Sequence, residues 1–186
     1  MKTTHRHTFI TALAAAAALL TTTAAALSAQ ETGGRYEGSV YVSYFYETTG
    51  GLSTVHGARL AGDRWFLGAA ASWDLGENGS FLQADFRPRW FFVSGTKVET
   101  FLGCGVGAAY LRGWILGSQD SSGGPRHDTG MLLVPELGLG IKLGNGDMID
   151  VVLSCNTDIL LGGTYNCWDG RTVTLVRPGI SIGYRF

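Results

Sequence analysis

The closing stretch, Thr174-Leu175-Val176-Arg177-Pro178-Gly179-Ile180-Ser181-Ile182-Gly183-Tyr184-Arg185-Phe186, separates into two chemical faces when read in steps of two. One parity carries Val176, Pro178, Ile180, Ile182, Tyr184 and Phe186. The other carries Arg177, Gly179, Ser181, Gly183 and Arg185. Alternate side chains of a strand point to opposite sides, so one face is wholly apolar and the other small or charged. A soluble sandwich would turn the apolar face inward. Glycines beside arginines suit instead a polar interior filled by long side chains, with the apolar face outward.

The same split recurs upstream. Residues 131–143 set Leu133, Pro135, Leu137, Leu139, Ile141 and Leu143 against Val134, Glu136, Gly138, Gly140 and Lys142. Residues 81–92 set Leu82, Ala84, Phe86, Pro88, Trp90 and Phe92 against Gln83, Asp85, Arg87 and Arg89. Stretches 65–75, 98–112 and 148–159 alternate likewise, and 36–47 and 53–61 do so less cleanly. The expectation is an all-β, eight-stranded antiparallel up-and-down transmembrane barrel. Pro88, Pro135 and Pro178 fall on the outward parity inside strands, where a missing N–H interrupts a ladder, and are read as bulge sites.

Residues 1–29 precede this pattern. Lys2 and Arg6, the apolar run from Phe9 to Leu20, and small residues up to Ala29 describe a secretory signal peptide cut after Ala29. That run is 12 residues long, whereas a spanning helix needs about 20. The domain reading is therefore 1–29 signal peptide and 30–186 barrel. With the signal removed, 12 basic and 15 acidic side chains remain, a formal charge of −3, which argues against capture of nucleic acid. Three cysteines without C-x-x-C spacing exclude a disulfide framework or a zinc module of the usual spacing. Neither a cofactor nor a metal is expected.

The connections alternate in kind. Segments 61–64, 93–97 and 144–147 read as tight turns, the last holding Asn145-Gly146, a strong hairpin signal. Segments 48–52, 75–80, 113–130 and 161–172 read as longer loops at the opposite end. Short turns at one end and longer loops at the other are the asymmetry of a transmembrane barrel.

The signal, the eight strands, the stretch Ser53-Thr54-Val55-His56-Gly57, the run Trp65-Phe66-Leu67-Gly68-Ala69 and the terminal Tyr184-Arg185-Phe186 together resemble small bacterial outer-membrane β-barrel proteins. The likeness is to the OmpA/OmpX-type barrel domain in a version common among Bacteroidetes, and it covers essentially the whole mature chain. It implies the bacterial outer membrane as the location, with outer-membrane lipid and lipopolysaccharide as surroundings. It also implies that Phe186 is an assembly signal read by the barrel-assembly machinery. For many members the resemblance implies no activity.

The inward parity carries Glu37, Asp74, Asp85, Glu99, Glu136, Asp150 and Asp158 with Arg59, Arg87, Arg89, Lys142, Arg177 and Arg185. Charges enclosed in a narrow barrel must be paired or hydrated, so these residues read as a mutually satisfied polar plug. Gly103, Gly105 and Gly107 mimic a dinucleotide fingerprint but lie mid-strand, where they make room for bulky neighbours. Trp65, Trp90 and Tyr184, with Phe92 and Phe186, would mark one membrane edge, and Trp73 and Tyr110, with Tyr44 and Trp114, the other. Cys104 and Cys155 read as small apolar residues on the outer face, and Cys167 lies in the last loop.

These features favour a non-catalytic barrel serving envelope structure or surface contact through its outer loops, its surface ligand unnamed. An outer-membrane lipid-modifying enzyme of lipid A deacylase type is the alternative, with His56, beside Ser53 and Thr54, or His127 as the available base. A narrow pore conflicts with a charged plug in eight strands.

Overall fold

The computed structural model describes residues 34–46, 49–60, 62–76, 79–95, 97–113, 126–163 and 173–186. The proposed signal peptide, Trp114, Cys167 and most of the two longest loops lie outside them. Nine strand segments follow in order: β1 (Arg35–Phe45), β2 (Thr49–Arg59), β3 (Trp65–Gly76), β4 (Gly79–Phe86), β5 (Arg89–Ser94), β6 (Val98–Gly113), β7 (Arg126–Lys142), β8 (Met148–Gly163) and β9 (Val173–Arg185). Segments β4 and β5 are consecutive halves of one stave, both lying between β3 and β6. The last strand pairs antiparallel with the first, Ser39 opposite Arg185 and Phe45 opposite Gly179, which closes eight staves into a barrel without edges.

The alternation decides which way each stave faces. In β9 the buried residues are Arg177, Ser181, Gly183 and Arg185, while Val176, Pro178, Ile180, Ile182, Tyr184 and Phe186 are exposed. In the other staves too the large apolar side chains form most of the outer surface and the charged ones sit inside. This inversion of a soluble core is what a bilayer selects, because lipid takes the place of water against the outer face.

Barrel geometry follows from the registers. Tyr36 is opposite Ala58, Ala58 opposite Leu67, and the pairs around Pro88 keep it level with Leu67 and Cys104. Cys104 is opposite Pro135, the pairs flanking Pro135 keep it level with Cys155, and Cys155 is opposite Pro178. Pro178 accepts the N–H of Tyr46 at 2.8 Å. One lateral circuit thus returns to the first stave at Tyr46, ten residues beyond Tyr36. Ten residues of about 3.3 Å against eight spacings of about 4.8 Å tilt the staves by roughly 41°. Tyr36 and Tyr46 are then about 25 Å apart along the axis, the height of an apolar membrane band.

Two expectations are corrected. The prolines are not bulges: all three stay in register, and the shifts occur instead at Phe91/Val93 and Asp128/Gly130. Register survives because each proline forfeits one N–H and keeps its carbonyl, as Pro88 does in accepting from Cys104 N–H at 3.2 Å. The loops at the far end are also not uniformly longer. Phe45 pairs Thr49, and Gly76 pairs Gly79, so two of those connections are tight. Gly79 takes φ of +151°, which lets the strand resume at once. The segments between Gly113 and Arg126 and between Gly163 and Val173 carry the length.

Candidate functional site

The bore is packed with paired charges in two groups. In the half nearer the termini, Arg59 grips Glu99 through both terminal nitrogens at 2.9 and 2.8 Å and meets Glu37 at 3.1 Å through Nε. Arg185 joins Glu37 at 3.3 Å, Glu99 at 3.0 Å and Asp150 at 3.1 Å. Tyr41 donates its hydroxyl to Asp150 at 2.9 Å and accepts from Arg89 at 3.0 Å. Arg89 in turn holds Glu136 at 2.6 Å, Glu136 lies 3.5 Å from Arg87, and Arg87 clasps Asp85 through two nitrogens at 2.8 and 2.7 Å. The contacts form one continuous chain of partners from Arg59 to Asp85.

The second group lies nearer the long loops. Arg177 bridges Asp74 at 3.0 Å and Asp158 at 3.0 Å. Gln83 donates to Asp158 at 2.9 Å while its carbonyl accepts from Ser72 at 2.9 Å and Asn156 at 3.1 Å. Aromatic faces complete the cages: Arg59 stacks over Phe91 at 3.7 Å, Arg177 over Phe81 at 3.7 Å and Arg89 over Phe101 at 4.6 Å. Stacking and forked pairing offset the desolvation that would otherwise make so many buried charges costly.

Glycines make this filling fit. A Cβ at Gly138 would run into the Phe101 ring, and one at Gly103 would lie 2.7 Å from Glu136 Cγ. Gly103, Gly105 and Gly107 therefore sit in β6 where facing side chains need the room. Between the two groups a cavity lined by Ser43, Ser53, Ser72, Ser154, Ser181 and Asn156 leaves only about 20 Å³ for the centres of water molecules. That admits a water or two.

Asp85, Arg87, Arg89, Glu99, Glu136, Asp150 and Arg185 are brought together in the first group, and Asp158 and Arg177 in the second. Lys142 is the exception. It keeps the inward parity but is the last residue of β7, past the rim, where it is exposed and has no ion pair among the described residues. A long cationic chain at an open mouth reaches water at little cost. The two groups hold seven carboxylates against five guanidiniums, one in excess in each, and Asp128 on β7, which the sequence reading put in a loop, is an eighth buried carboxylate.

The aromatic residues lie outside. Trp65 and Trp73 are each 52% exposed, at opposite ends of β3. Trp65 is opposite Trp90, which packs on Phe92 at 5.8 Å, and Tyr184 packs on Phe186 at 6.3 Å. At the other end Leu82 stands between Trp73 and Tyr110.

The sequence reading set His56 beside Ser53 and Thr54; the structure joins it to Thr54 and adds Tyr36 and Phe186, which that reading missed. His56 lies on the outer face of β2 beneath Phe186, with ring centroids 6.5 Å apart. Thr54 donates to the Ser39 carbonyl at 3.1 Å, so its oxygen accepts from His56 Nε2 at 2.6 Å. His56 Nδ1 shares a hydrogen bond with the Tyr36 hydroxyl at 2.5 Å. The imidazole is held between two hydroxyls. Its parity, outward with Thr54 and Ala58, was the available signal.

A closed barrel of eight staves with an apolar outer band, aromatic edges and a polar filling defines an integral β-barrel of the bacterial outer-membrane type. The solved structure of Neisserial surface protein A is similar to it in fold, with a TM-score of 0.50, 9% identity and coverage of 81% of this chain and 92% of that one. The N-terminal barrel domain of Pseudomonas aeruginosa OprF overlays with a TM-score of 0.49, 13% identity and coverage of 82% and 99%. The outer-membrane enzyme PagL overlays with a TM-score of 0.44, 12% identity and coverage of 81% and 98%. No family model and no curated protein matches the sequence.

Proposed function

We propose that the chain is a non-catalytic outer-membrane barrel that serves envelope structure or surface contact through its outer loops. The observation that carries this reading is the filled bore. Paired side chains occupy the interior and leave a cavity of water size, so the ends of the barrel are the surfaces free to meet another molecule. The two long connections, between Gly113 and Arg126 and between Gly163 and Val173, stand at the end away from both termini. Kinship with the OmpA/OmpX-type domain, in its Bacteroidetes version, belongs to this proposal and rests on the sequence features.

A hydrolase acting on outer-leaflet lipid is the competing reading. Against His56 as its base, that imidazole is hydrogen-bonded to Tyr36 and Thr54 rather than to a carboxylate, and it lies beside Phe186, at the end opposite the long loops; His127, opposite Arg112, stands at the loop end. Such an enzyme needs its base oriented by an acid at the leaflet that holds the substrate. The deciding experiment replaces residues 117–124 by a short Gly-Ser linker in cells. Surface attachment should fall to the level of a deletion strain while the barrel still inserts. Attachment equal to wild type, or release of acyl chains from lipid A by the purified protein, would refute the proposal.

A further inference from the structure

The end of the barrel that carries both termini presents four exposed cations, Arg35, Arg64, Lys97 and Lys142. All four fall on the inward parity. Arg35 precedes buried Glu37 by two residues, Arg64 precedes buried Phe66, Lys97 precedes buried Glu99, and Lys142 follows buried Gly140. They therefore ring the mouth, one layer beyond Arg59 and Arg185. At the same level the outward parity carries Trp65, Trp90 and Tyr184, so lipid meets aromatic rings while the cations surround the aqueous opening.

The placement sets like charges side by side. Lys142 donates its backbone N–H to the Lys97 carbonyl at 2.9 Å, continuing the register in which Val98 is opposite Ile141. Lys97 and Lys142 are thus direct cross-strand neighbours, and like charges so placed repel. Arg35 is directly opposite Arg59, and its approach to Glu37 is 3.7 Å, with that carboxylate already held by Arg59 at 3.1 Å and Arg185 at 3.3 Å. Among the described residues, Arg64, Lys97 and Lys142 have no carboxylate within ion-pair distance. Of the two acids in the short turns here, Asp63 and Asp147, the second accepts hydrogen bonds from Tyr184 and Asn145.

We propose that this mouth binds a multivalent, phosphate-bearing solute from the aqueous side, with Lys97 and Lys142 as its paired point charges and Arg35 and Arg64 as forked donors. Guanidinium matches phosphate oxygens two at a time, ammonium neutralises from any direction, and several cations around one opening favour an anion with several charges. The inward parity selects a solute over a lipid headgroup, since headgroups approach from the aromatic side. An anion between Lys97 and Lys142 also offsets their mutual repulsion.

The test is calorimetric titration of inorganic tripolyphosphate into the purified barrel in zwitterionic detergent, at low and at physiological salt. Saturable binding that weakens with salt is expected. The double variant Lys97→Gln/Lys142→Gln should bind about tenfold more weakly, and Arg112→Gln, an exposed cation at the other end, should bind as wild type. Both substituted positions are exposed, and unchanged heat-modifiable migration would verify that the barrel is intact. A second arm compares phosphatidylcholine nanodiscs with and without phosphatidylglycerol. Equal affinity in wild type and double variant overturns the proposal. So does an effect of phosphatidylglycerol without any binding of tripolyphosphate, which would assign the cations to headgroups.

Discussion

Phe186 and Gly38 exchange backbone hydrogen bonds in both directions across the seam that closes the barrel, at 3.0 and 2.9 Å. The missing side chain of Gly38 is where the Phe186 ring lies: a Cβ there would sit 2.7 Å from Phe186 Cε2. His56 and Tyr184 flank the ring. Phe186 is therefore part of the closing seam as well as a lipid-facing aromatic.

Packing alone makes Phe186 worth about 1.5–3 kcal/mol. If the insertion machinery also reads it, Phe186→Ala should reduce the amount inserted in cells far more than it lowers the stability of refolded protein in detergent. Val176→Ala, also outward but far from the terminus, should insert normally. Quantifying membrane-inserted barrel for both variants settles it, and equal insertion would leave Phe186 a packing role only.

Substitution at Gly38 isolates the seam from the signal. Gly38→Val keeps Phe186 in the sequence but displaces its ring, and overpacking of this kind costs about 1–3 kcal/mol. Urea unfolding of refolded protein should show that loss, with insertion in cells falling less than for Phe186→Ala. Unchanged stability would mean that the ring has another seat.

Among the described residues, Arg177 is the one guanidinium paired with Asp74 and Asp158. Arg177→Met leaves two buried carboxylates without their cation and should cost about 3–5 kcal/mol. Asp74→Asn removes the excess carboxylate while Asp158 keeps two contacts to Arg177, so its cost should stay under about 1.5 kcal/mol. Denaturant midpoints in detergent give both values. Similar losses would contradict the shared-cation description.

The exterior was legible because a strand has a period of two: Val176 through Phe186 and Leu133 through Leu143 declare their faces without any knowledge of neighbours. Most inward charges were legible on the same ground, but parity could not tell that Lys142 lies beyond the rim, and Asp128 was missed because β7 begins at Arg126, inside the stretch read as a loop. The partners of each charge were not legible. Arg59 meets Glu99, forty positions away, only because the staves between them have particular registers. The tight turns at 46–49 and 76–79 were missed because Gly50, Gly51, Gly76 and Gly79 read as loop glycines, whereas the first two sit in β2 and the other two pair across the next hairpin. The prolines were misread for a related cause: a sequence shows that they are outward but not that they lie on one register row.

That shared register row yields the last prediction. Pro88, Cys104, Pro135, Cys155 and Pro178 follow one another across five staves, so the stripe spirals from Tyr36 toward Tyr46 and climbs roughly 3 Å per stave at the tilt of this barrel. Pro88 faces the Cys104 carbonyl near mid-height, where no water reaches an acceptor deprived of its N–H. Pro178 faces the Tyr46 carbonyl at the outer edge, where water can serve it. Pro88→Ala restores a donor in lipid, a gain of about 1–2 kcal/mol after the added freedom of the unfolded chain takes back about 0.4–1 kcal/mol. Pro178→Ala should change stability by less than about 0.5 kcal/mol, since the restored bond replaces one to water. Urea unfolding in phospholipid vesicles measures both. Equal shifts for the two variants would show that depth does not decide the cost, and a loss on Pro88→Ala would show that its ring packing against Leu67 and Cys104 outweighs the missing hydrogen bond.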